Sequence, residues 1–187
     1  KANINISANN GATPLYIAAQ KGHIEVVNAL LARGDIDINK ADTNGFTPLI
    51  IAAQEGHTEI VKALLARGDI EINKALTNGA TPLFAAALNG HTDVAKALLG
   101  RGDIEINKAR TDNGASPLYV AALNGHTEVV NALIRKGDIE INQYRTDTGA
   151  TPLYVAAGMG HLDTLNALLA RGDIEINKAL TNGATPL

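Results

Sequence analysis

The sequence predicts an all-α solenoid, in which short helix-turn-helix units stack and are joined by finger-like β-turns or short hairpins. The first observation is a fixed period: prolines recur every 34 or 35 residues along the 187-residue chain, at Pro14, Pro48, Pro82, Pro117, Pro152 and Pro186. The second is that the apolar pattern after each proline is nearly the same in every period. Repetition of this length is the signature of an array in which each unit contacts only its neighbours.

We expect one domain, residues 1–187, made of five full repeats and two partial units. The repeats lie at about 11–44, 45–78, 79–113, 114–148 and 149–182, with partial units at 1–10 and 183–187. The first unit matches the tail of a repeat, and the last matches the start of another. The chain is therefore expected to be part of a longer array, with uncapped ends that favour end-to-end self-association.

The second repeat shows the local signals of two short helices. Thr47 before Pro48 places a hydroxyl at the helix N-cap and proline at the first helical position, where its missing N–H costs nothing. Gly56 is expected to end this helix in the left-handed conformation. A second helix is expected from about residue 58 to 67, ended by Gly68. Helices this short are not stable alone, so neighbouring repeats must bury each other's apolar faces.

The connection between repeats is expected to be extended and then sharply turned. Ile70-Glu71-Ile72 alternates as a short extended segment does, and Asn78-Gly79 is a typical tight-turn pair. The third and fourth repeats have one extra residue here, near Asp112 and Asp147. We expect these insertions in the finger-like turns, where an extra residue costs least.

Together these blocks resemble ankyrin repeats over residues of about 11–182. The blocks are Gly-x-Thr-Pro-Leu, Ala-Ala-x-x-Gly-His, Val-Val-x-Ala-Leu-Leu and Gly-Asp-Ile-x-Ile-Asn, and they recur in this order. One departure is that the histidine of the family's Thr-Pro-Leu-His motif is replaced by an apolar or aromatic residue, which we expect to pack in the interior. The replacements are Tyr16, Ile50, Phe84, Tyr119 and Tyr154.

Composition argues against several classes of function. The net charge is −3, from 16 basic and 19 acidic residues, which gives no electrostatic footprint for nucleic acid or an anionic membrane. The chain has no cysteine, so it has no disulfide framework and no thiol nucleophile. No apolar run approaches the roughly 20 residues that span a bilayer. We expect no cofactor, no metal, no nucleic-acid partner, no membrane partner and a cytoplasmic location.

Two recurring motifs invite a chemical interpretation, but stacking explains both. Equivalent histidines on stacked helices would lie about 8–10 Å apart, too far to share a zinc ion. Arg-Gly-Asp resembles the integrin-adhesion motif, but a basic last turn, a glycine cap and a polar exit from a helix account for it. Near-identical units make an active site improbable, and we expect a non-enzyme. The histidines are His23, His57, His91, His126 and His161, and the tripeptides begin at Arg33, Arg67, Arg101 and Arg171.

Positions that differ between repeats are the candidate partner-binding residues, because residues that recur are explained by stacking. The resemblance implies a partner surface made of the turn tips and the concave face of the first helices. Phe46 stands where other repeats have alanine, and Leu88, Leu123 and Met159 are taken to replace the polar Gln20 and Gln54, which predicts an apolar stripe along a concave groove. The alternative is that Leu88 and Leu123 pack against each other between repeats. The candidate set is Phe46, Gln54, Glu55, Leu88, Asn89, Arg110, Asp112, Leu123, Asn124, Tyr144, Arg145 and Met159.

The leading hypothesis is a non-catalytic scaffold that binds a protein or peptide through the concave face and the turn tips. One alternative is the targeting segment of a larger enzyme or effector whose catalytic part is absent from this sequence. Another is an engineered or consensus array without a native partner, although substitutions such as Ala95, Gly100 and Thr164 favour natural drift. Small-ligand binding needs an aromatic-lined pocket, and only 3% of the residues are aromatic.

Overall fold

The computed structural model describes residues 3–177 and confirms an all-α solenoid. In this part of the chain ten helices form five consecutive pairs, and no strand is present. The first helices are α1 (Pro14–Lys21), α3 (Pro48–Gln54), α5 (Pro82–Asn89), α7 (Pro117–Leu123) and α9 (Pro152–Gly158). The second helices are α2 (Ile24–Leu31), α4 (Thr58–Leu65), α6 (Thr92–Leu99), α8 (Thr127–Ile134) and α10 (Leu162–Leu169). The partial unit at 183–187 and the end of the fifth repeat lie outside the described residues.

Each first helix begins as the sequence predicts. In α3 the Thr47 Oγ1 accepts a hydrogen bond from the backbone N–H of Ile50 at 3.2 Å, and Pro48 lies in the first turn. The same bond, at 3.1 to 3.2 Å, is made by Thr13, Thr81, Ser116 and Thr151. These hydroxyls are buried, so each bond satisfies a side-chain acceptor and one of the unpaired N–H groups of the helix start.

The two helices of a repeat end differently. The first helix leads into a glycine in the left-handed region, as predicted, with a φ of 76° at Gly56. The second helix is shorter than predicted: α4 ends at Leu65, and Ala66 caps it in a right-handed conformation. Gly68 does not have a positive φ, so the prediction that it caps the helix is wrong.

The Arg-Gly-Asp tripeptide that follows the second helix links adjacent repeats. The Arg67 Nη2 lies 3.0 Å from the Asp69 Oδ2, and the Arg67 Nη1 donates to the Leu31 backbone oxygen at 2.8 Å. Leu31 belongs to the preceding repeat, at the end of α2, where helical carbonyls lack a partner of their own. The equivalent bonds are made by Arg101 and Arg171. The tripeptide therefore has a structural role in stacking.

The interior is built from equivalent positions in every repeat. Leu49 of α3 and Leu64 of α4 are fully buried. The first helices pack side by side in one layer, and the second helices pack in a layer against them. As predicted, the family's histidine position is buried at Tyr16, Ile50, Phe84 and Tyr119, and Tyr154 is half-buried. Packing thus replaces the family's polar group at this position.

From α4 onward, a histidine at the start of each second helix bonds to the preceding repeat. The His57 Nε2 lies 3.1 Å from the Gln20 backbone oxygen. The same contact joins His91 to Gln54, His126 to Leu88 and His161 to Leu123, at 2.9 to 3.1 Å. The imidazole also packs on the glycine that follows the preceding first helix, since a methyl group on Gly90 would lie 2.7 Å from the His126 Nδ1.

An asparagine provides a third link between repeats. The Asn39 Nδ2 donates to the Asp69 backbone oxygen at 2.7 Å, and the Asn39 Oδ1 accepts from the Glu71 N–H at 2.9 Å. Equivalent pairs of bonds are made by Asn5, Asn73, Asn107 and Asn142. The segment after each second helix is therefore held by side-chain bonds to the neighbouring repeat. The prediction that residues 70–72 are extended is wrong, because Ile72 and Asn73 lie in a turn that the bond from the Lys74 N–H to the Glu71 oxygen closes at 3.1 Å.

We expect Gly90→Ala to destabilise the fold more than Gly160→Ala. The φ angles are similar, 75° and 73°, so both alanines incur left-handed strain of roughly 1–2 kcal/mol. Only the methyl group at position 90 also meets a histidine ring, because no described atom lies within 4 Å of a methyl group at position 160. Urea unfolding followed by circular dichroism measures the difference. Equal losses of stability would show that the histidine contact does not constrain the glycine.

Candidate protein-binding surface

The fingers, the turns between consecutive repeats, are tight. In the second repeat the Gly79 N–H donates to the Leu76 oxygen at 2.8 Å, and the Leu76 N–H donates to the Ala80 oxygen at 2.9 Å. The Thr111 N–H bonds to the Asn78 oxygen at 2.9 Å and joins two neighbouring fingers. The predicted turns are present, and in the described part of the chain they carry no strand.

The two longer fingers each hold a fixed arginine. In the fourth repeat Arg145 pairs with Asp147, with 2.9 Å between Nε and Oδ1. Its guanidinium carbon lies 5.8 Å from the centroid of the Tyr119 ring, within the range of a cation–π contact. The third repeat repeats this arrangement with Arg110, Asp112 and Phe84. The extra residue of each longer finger is therefore the aspartate that positions the arginine.

These ion pairs change the titration of the fingers. The hydrogen bond from Arg145 lowers the pKa of Asp147, and Arg110 lowers the pKa of Asp112 in the same way. In return, the hydrogen bond to Asp147 raises the pKa of Arg145. Burial raises the pKa of the Tyr119 hydroxyl, although Arg145 opposes this shift. At neutral pH each pair is ionised and adds no net charge to the finger.

A second group of candidates lies at the opposite ends of the first helices. Leu88, near the end of α5, is 42% exposed, and Leu123, at the end of α7, is half-buried against the core. Met159 is 59% exposed but stands one position later than the leucines, so the expectation that it replaces a glutamine is wrong. The equivalent position in the fifth repeat holds Gly158. Met159 is therefore one position out of register with Leu88 and Leu123.

Phe46 does not belong to this second group. It precedes α3, at the finger end of the helix, and is half-buried against the core. Leu88 and Leu123 lie at the other ends of their helices. At a rise of about 1.5 Å per residue, a helix of this length separates the two groups by roughly 10 Å. The structure thus divides the predicted stripe in two. Phe46 lies at the finger end of its helix, and Leu88 and Leu123 form a helix-end row at the opposite ends of theirs.

The remaining candidates are polar and mostly exposed. The Gln54 Nε2 donates to the Glu55 carboxylate at 3.1 Å. The side-chain amides of Asn89 and Asn124 donate to carbonyls one turn earlier in their own helices, at 2.9 Å. Tyr144 is exposed and directly precedes the fourth finger. These groups line the surface around the helix-end row and the fingers.

Sequence reasoning missed the aromatic rings beneath the two finger arginines. Phe84 and Tyr119 were expected only to fill the interior. The third and fourth repeats each combine an aromatic residue at the family's histidine position with an arginine and an added aspartate in the finger, and this combination was the available signal. Only a comparison of whole repeats, and not of single motifs, reveals this association.

The described residues offer little for metal or membrane chemistry. Between residues 3 and 177 no group of three or more His, Asp or Glu side chains is placed to hold a metal ion. Over the same range, no helix has both the length and the apolar character that crossing a bilayer requires. The histidines from His57 onward instead each bond to a separate carbonyl.

The fold defines a class of protein, a helical repeat solenoid built from stacked helix pairs. The family model described as ankyrin repeats (3 copies) matches residues 1–75, 36–109, 67–145 and 102–179. The chain belongs to the ankyrin repeat family. No curated protein matches it. Ankyrin repeats generally mediate protein–protein interaction, and proteins built from them are typically non-catalytic scaffolds.

The finger ion pairs predict a pH dependence. The folded-state pKa of Asp147 lies below the value of about 3.9 for an unfolded chain, so its stabilising contribution is complete above that value and is lost as the pH falls through the folded-state pKa. A carboxyl-carbon NMR titration measures this pKa. In Arg145→Met the pKa of Asp147 should return to about 3.9, whereas that of Asp112 should stay low. An unchanged pKa for Asp147 in the variant would contradict the assigned cause.

Proposed function

We propose that this protein is a non-catalytic scaffold that binds a protein or peptide through its fingers and the ends of its first helices. The observation that carries the proposal is the exposure of Leu88, at a position where the first two repeats have glutamine. An exposed leucine side chain leaves apolar area in water, and a partner that covers it recovers a favourable free energy. Aromatic, methionine and arginine side chains are enriched in interfaces, and the candidate set includes Phe46, Met159 and Arg145.

Binding at this surface requires little reorganisation. The guanidinium of Arg145 is already held by Asp147 and by the Tyr119 ring, so little side-chain entropy remains to be lost when a partner binds. The fingers are joined to one another through backbone hydrogen bonds. A partner therefore meets a surface that is ordered in advance.

Two other origins of the array lead to different expectations. If the array is the targeting segment of a larger enzyme or effector, the same surface would bind the target, and the native gene product would carry a catalytic domain. If the array is engineered and has no native partner, no specific partner would be found. A cytoplasmic location remains part of the proposal.

Paired affinity capture tests the proposed surface. We expect the double variant Leu88→Asp, Met159→Asp to lose a partner that the unaltered chain retains from a lysate of its source cell. With the purified partner, calorimetry should show binding weakened by about tenfold or more, equivalent to about 1.4 kcal/mol. Both side chains are exposed, so circular dichroism should show that the variant folds.

The matched control is Leu162→Asp, which changes an exposed leucine at the start of α10, a second helix. This variant should bind the partner as well as the unaltered chain does. Equal weakening by the control and the double variant would place the site elsewhere, and loss of binding only in the control would overturn the proposal.

The first and last helix pairs of the described residues favour a second activity of this chain, head-to-tail association of two copies. Ile17 is 43% exposed, whereas the equivalent Ile51, covered by the preceding repeat, is 3% exposed. Val26 is exposed beside Ile17 and lines the same pocket. At the other end Leu169 is 36% exposed, against 7% for the equivalent Leu65. We call the surface around Ile17 and Val26 the starting face and the surface around Leu169 the end face. Surfaces equivalent to these two pack together between consecutive repeats, so the end face of one copy matches the starting face of another.

Complementary blocked variants test this association. Ile17→Asp blocks the starting face and Leu169→Asp blocks the end face, so each variant alone should remain a monomer in sedimentation equilibrium. An equimolar mixture should form dimers and no larger species, because each dimer uses the one intact face of each variant. A strictly monomeric unaltered chain at high concentration would overturn the proposal.

A further inference from the structure

A pocket of about 400 Å³ lies on the segment that follows α8, between the fourth and fifth repeats. Its wall includes the side chains of Glu140, Gln143 and Tyr144. Asn142 and Asp173 also line it, and these two residues are joined by the inter-repeat bond from the Asn142 Nδ2 to the Asp173 oxygen, at 2.7 Å. The pocket is therefore placed where repeat stacking fixes its backbone.

The earlier repeats hold a lysine at the position of Gln143. In the second repeat the Lys74 Nζ lies 3.0 Å from the Glu71 carboxylate, and in the third the Lys108 Nζ lies 2.9 Å from the Glu105 carboxylate. Lys108 also donates to the backbone oxygen of Asn73 in the preceding repeat, at 3.4 Å. In the second and third repeats the lysine ammonium group thus lies within reach of a glutamate carboxylate, and in the third also of a backbone oxygen.

The fourth repeat keeps the acceptors and lacks the ammonium group. Glu140 stands where Glu71 and Glu105 stand, but Gln143 replaces the lysine. Among the described residues, the Gln143 Oε1 is a buried side-chain atom without a hydrogen-bond partner. A buried acceptor without a donor is unfavourable, and such atoms are rare in folded proteins. The Gln143 Oε1 therefore lacks a hydrogen-bond donor. The Glu140 carboxylate, which lines the same pocket, favours a donor that is positively charged.

Tyr144 distinguishes this position further. The other repeats have alanine here, and the tyrosine adds an exposed aromatic ring to the pocket wall. An aromatic ring packs on the methylene groups of a long side chain and attracts a cation at its face. The pocket thus combines an apolar wall with acceptors for a charged end group.

We propose that this pocket binds the side chain of a lysine from a bound polypeptide, with its ammonium group in the position that Lys74 and Lys108 fill in their own repeats. The proposal rests on the proposed function as a protein-binding scaffold. An ammonium group has three N–H donors, and it would meet the Glu140 carboxylate and the Gln143 Oε1. The Gln143 Oε1 is buried, so the side chain would have to rotate toward the bound ammonium group, and its oxygen has no hydrogen bond to lose in that rotation.

NMR titration with Nα-acetyl-lysine methylamide tests this site directly. We expect saturable shifts of the backbone amides of Gln143 and Tyr144, with a Kd on the order of millimolar because a single exposed ion pair contributes little. The norleucine analogue, which has a similar chain without the ammonium group, should cause no such shifts. Equal shifts from methylammonium would mean that the pocket takes any small amine and would overturn the assignment to lysine.

Two variants separate the pocket from other acidic surfaces. In Gln143→Lys the chain supplies its own ammonium group, so the lysine probe should cause no shifts and the urea midpoint of unfolding should rise. Glu140→Gln should weaken binding of the probe about two- to fivefold, as expected for the loss of one exposed ion pair. Shifts that persist in Gln143→Lys, or that are absent from the unaltered chain, would overturn the proposal.

The variant Leu88→Asp distinguishes this inference from the proposed function. It should leave the lysine titration unchanged, because Leu88 lies in α5 and does not line the pocket. A chain that loses its partner through Leu88→Asp but shows no lysine-dependent shifts would retain the scaffold function and lack the lysine site.

Discussion

The whole structure depends on the contact between one repeat and the next. Helices of seven or eight residues do not persist alone in water, so each pair is stable only through what its neighbours cover. Within that contact the His57 imidazole reaches the Gln20 carbonyl, which lies in the last turn of α1 and has no helical partner of its own. One hydrogen bond therefore ends a helix and joins two repeats, and the glycine that follows leaves room for the ring.

The same contact explains why some positions are free to vary. The backbone oxygen of Leu88 accepts the bond from His126, while the leucine side chain is 42% exposed. Gln54 supplies its backbone oxygen to His91 in the same way. Because the bond to the histidine uses the backbone carbonyl, either leucine or glutamine at this position can accept it. At Leu88 the backbone oxygen thus serves stacking, and the exposed side chain remains for the recognition proposed above.

Local rules predicted the fold and the helix starts well. The repeat period, the hydroxyl caps such as Thr47 and the buried aromatic residues follow from patterns that recur in every copy. The same rules failed at Gly68, because the residues around it serve a longer-range contact: Arg67 must reach both Asp69 and a carbonyl of the preceding repeat. A cap can be inferred from one helix, but a bond between residues 36 positions apart cannot.

The candidate surface was predictable only as a set of positions. Repeat comparison identified Leu88 and Arg145 as variable, yet the separation of Phe46 from the leucines depends on which end of a helix each residue occupies. The pairing of Arg145 with the Tyr119 ring likewise depends on how the finger folds back. Such relations join residues that are distant in sequence, and they become visible only when the elements are placed in three dimensions.

Charge divides this surface into two kinds of contact. Each finger guanidinium is balanced by an aspartate, so the fingers offer directional N–H donors without a net field, and long-range steering contributes little to their recognition. The carboxylate of Glu140 differs, because the lysine that balances Glu71 and Glu105 in their own repeats is replaced by Gln143. Under the proposed function, shape and hydrogen-bond geometry would select a partner at the fingers and the helix-end row, while at Glu140 the sign of the partner's charge would also contribute.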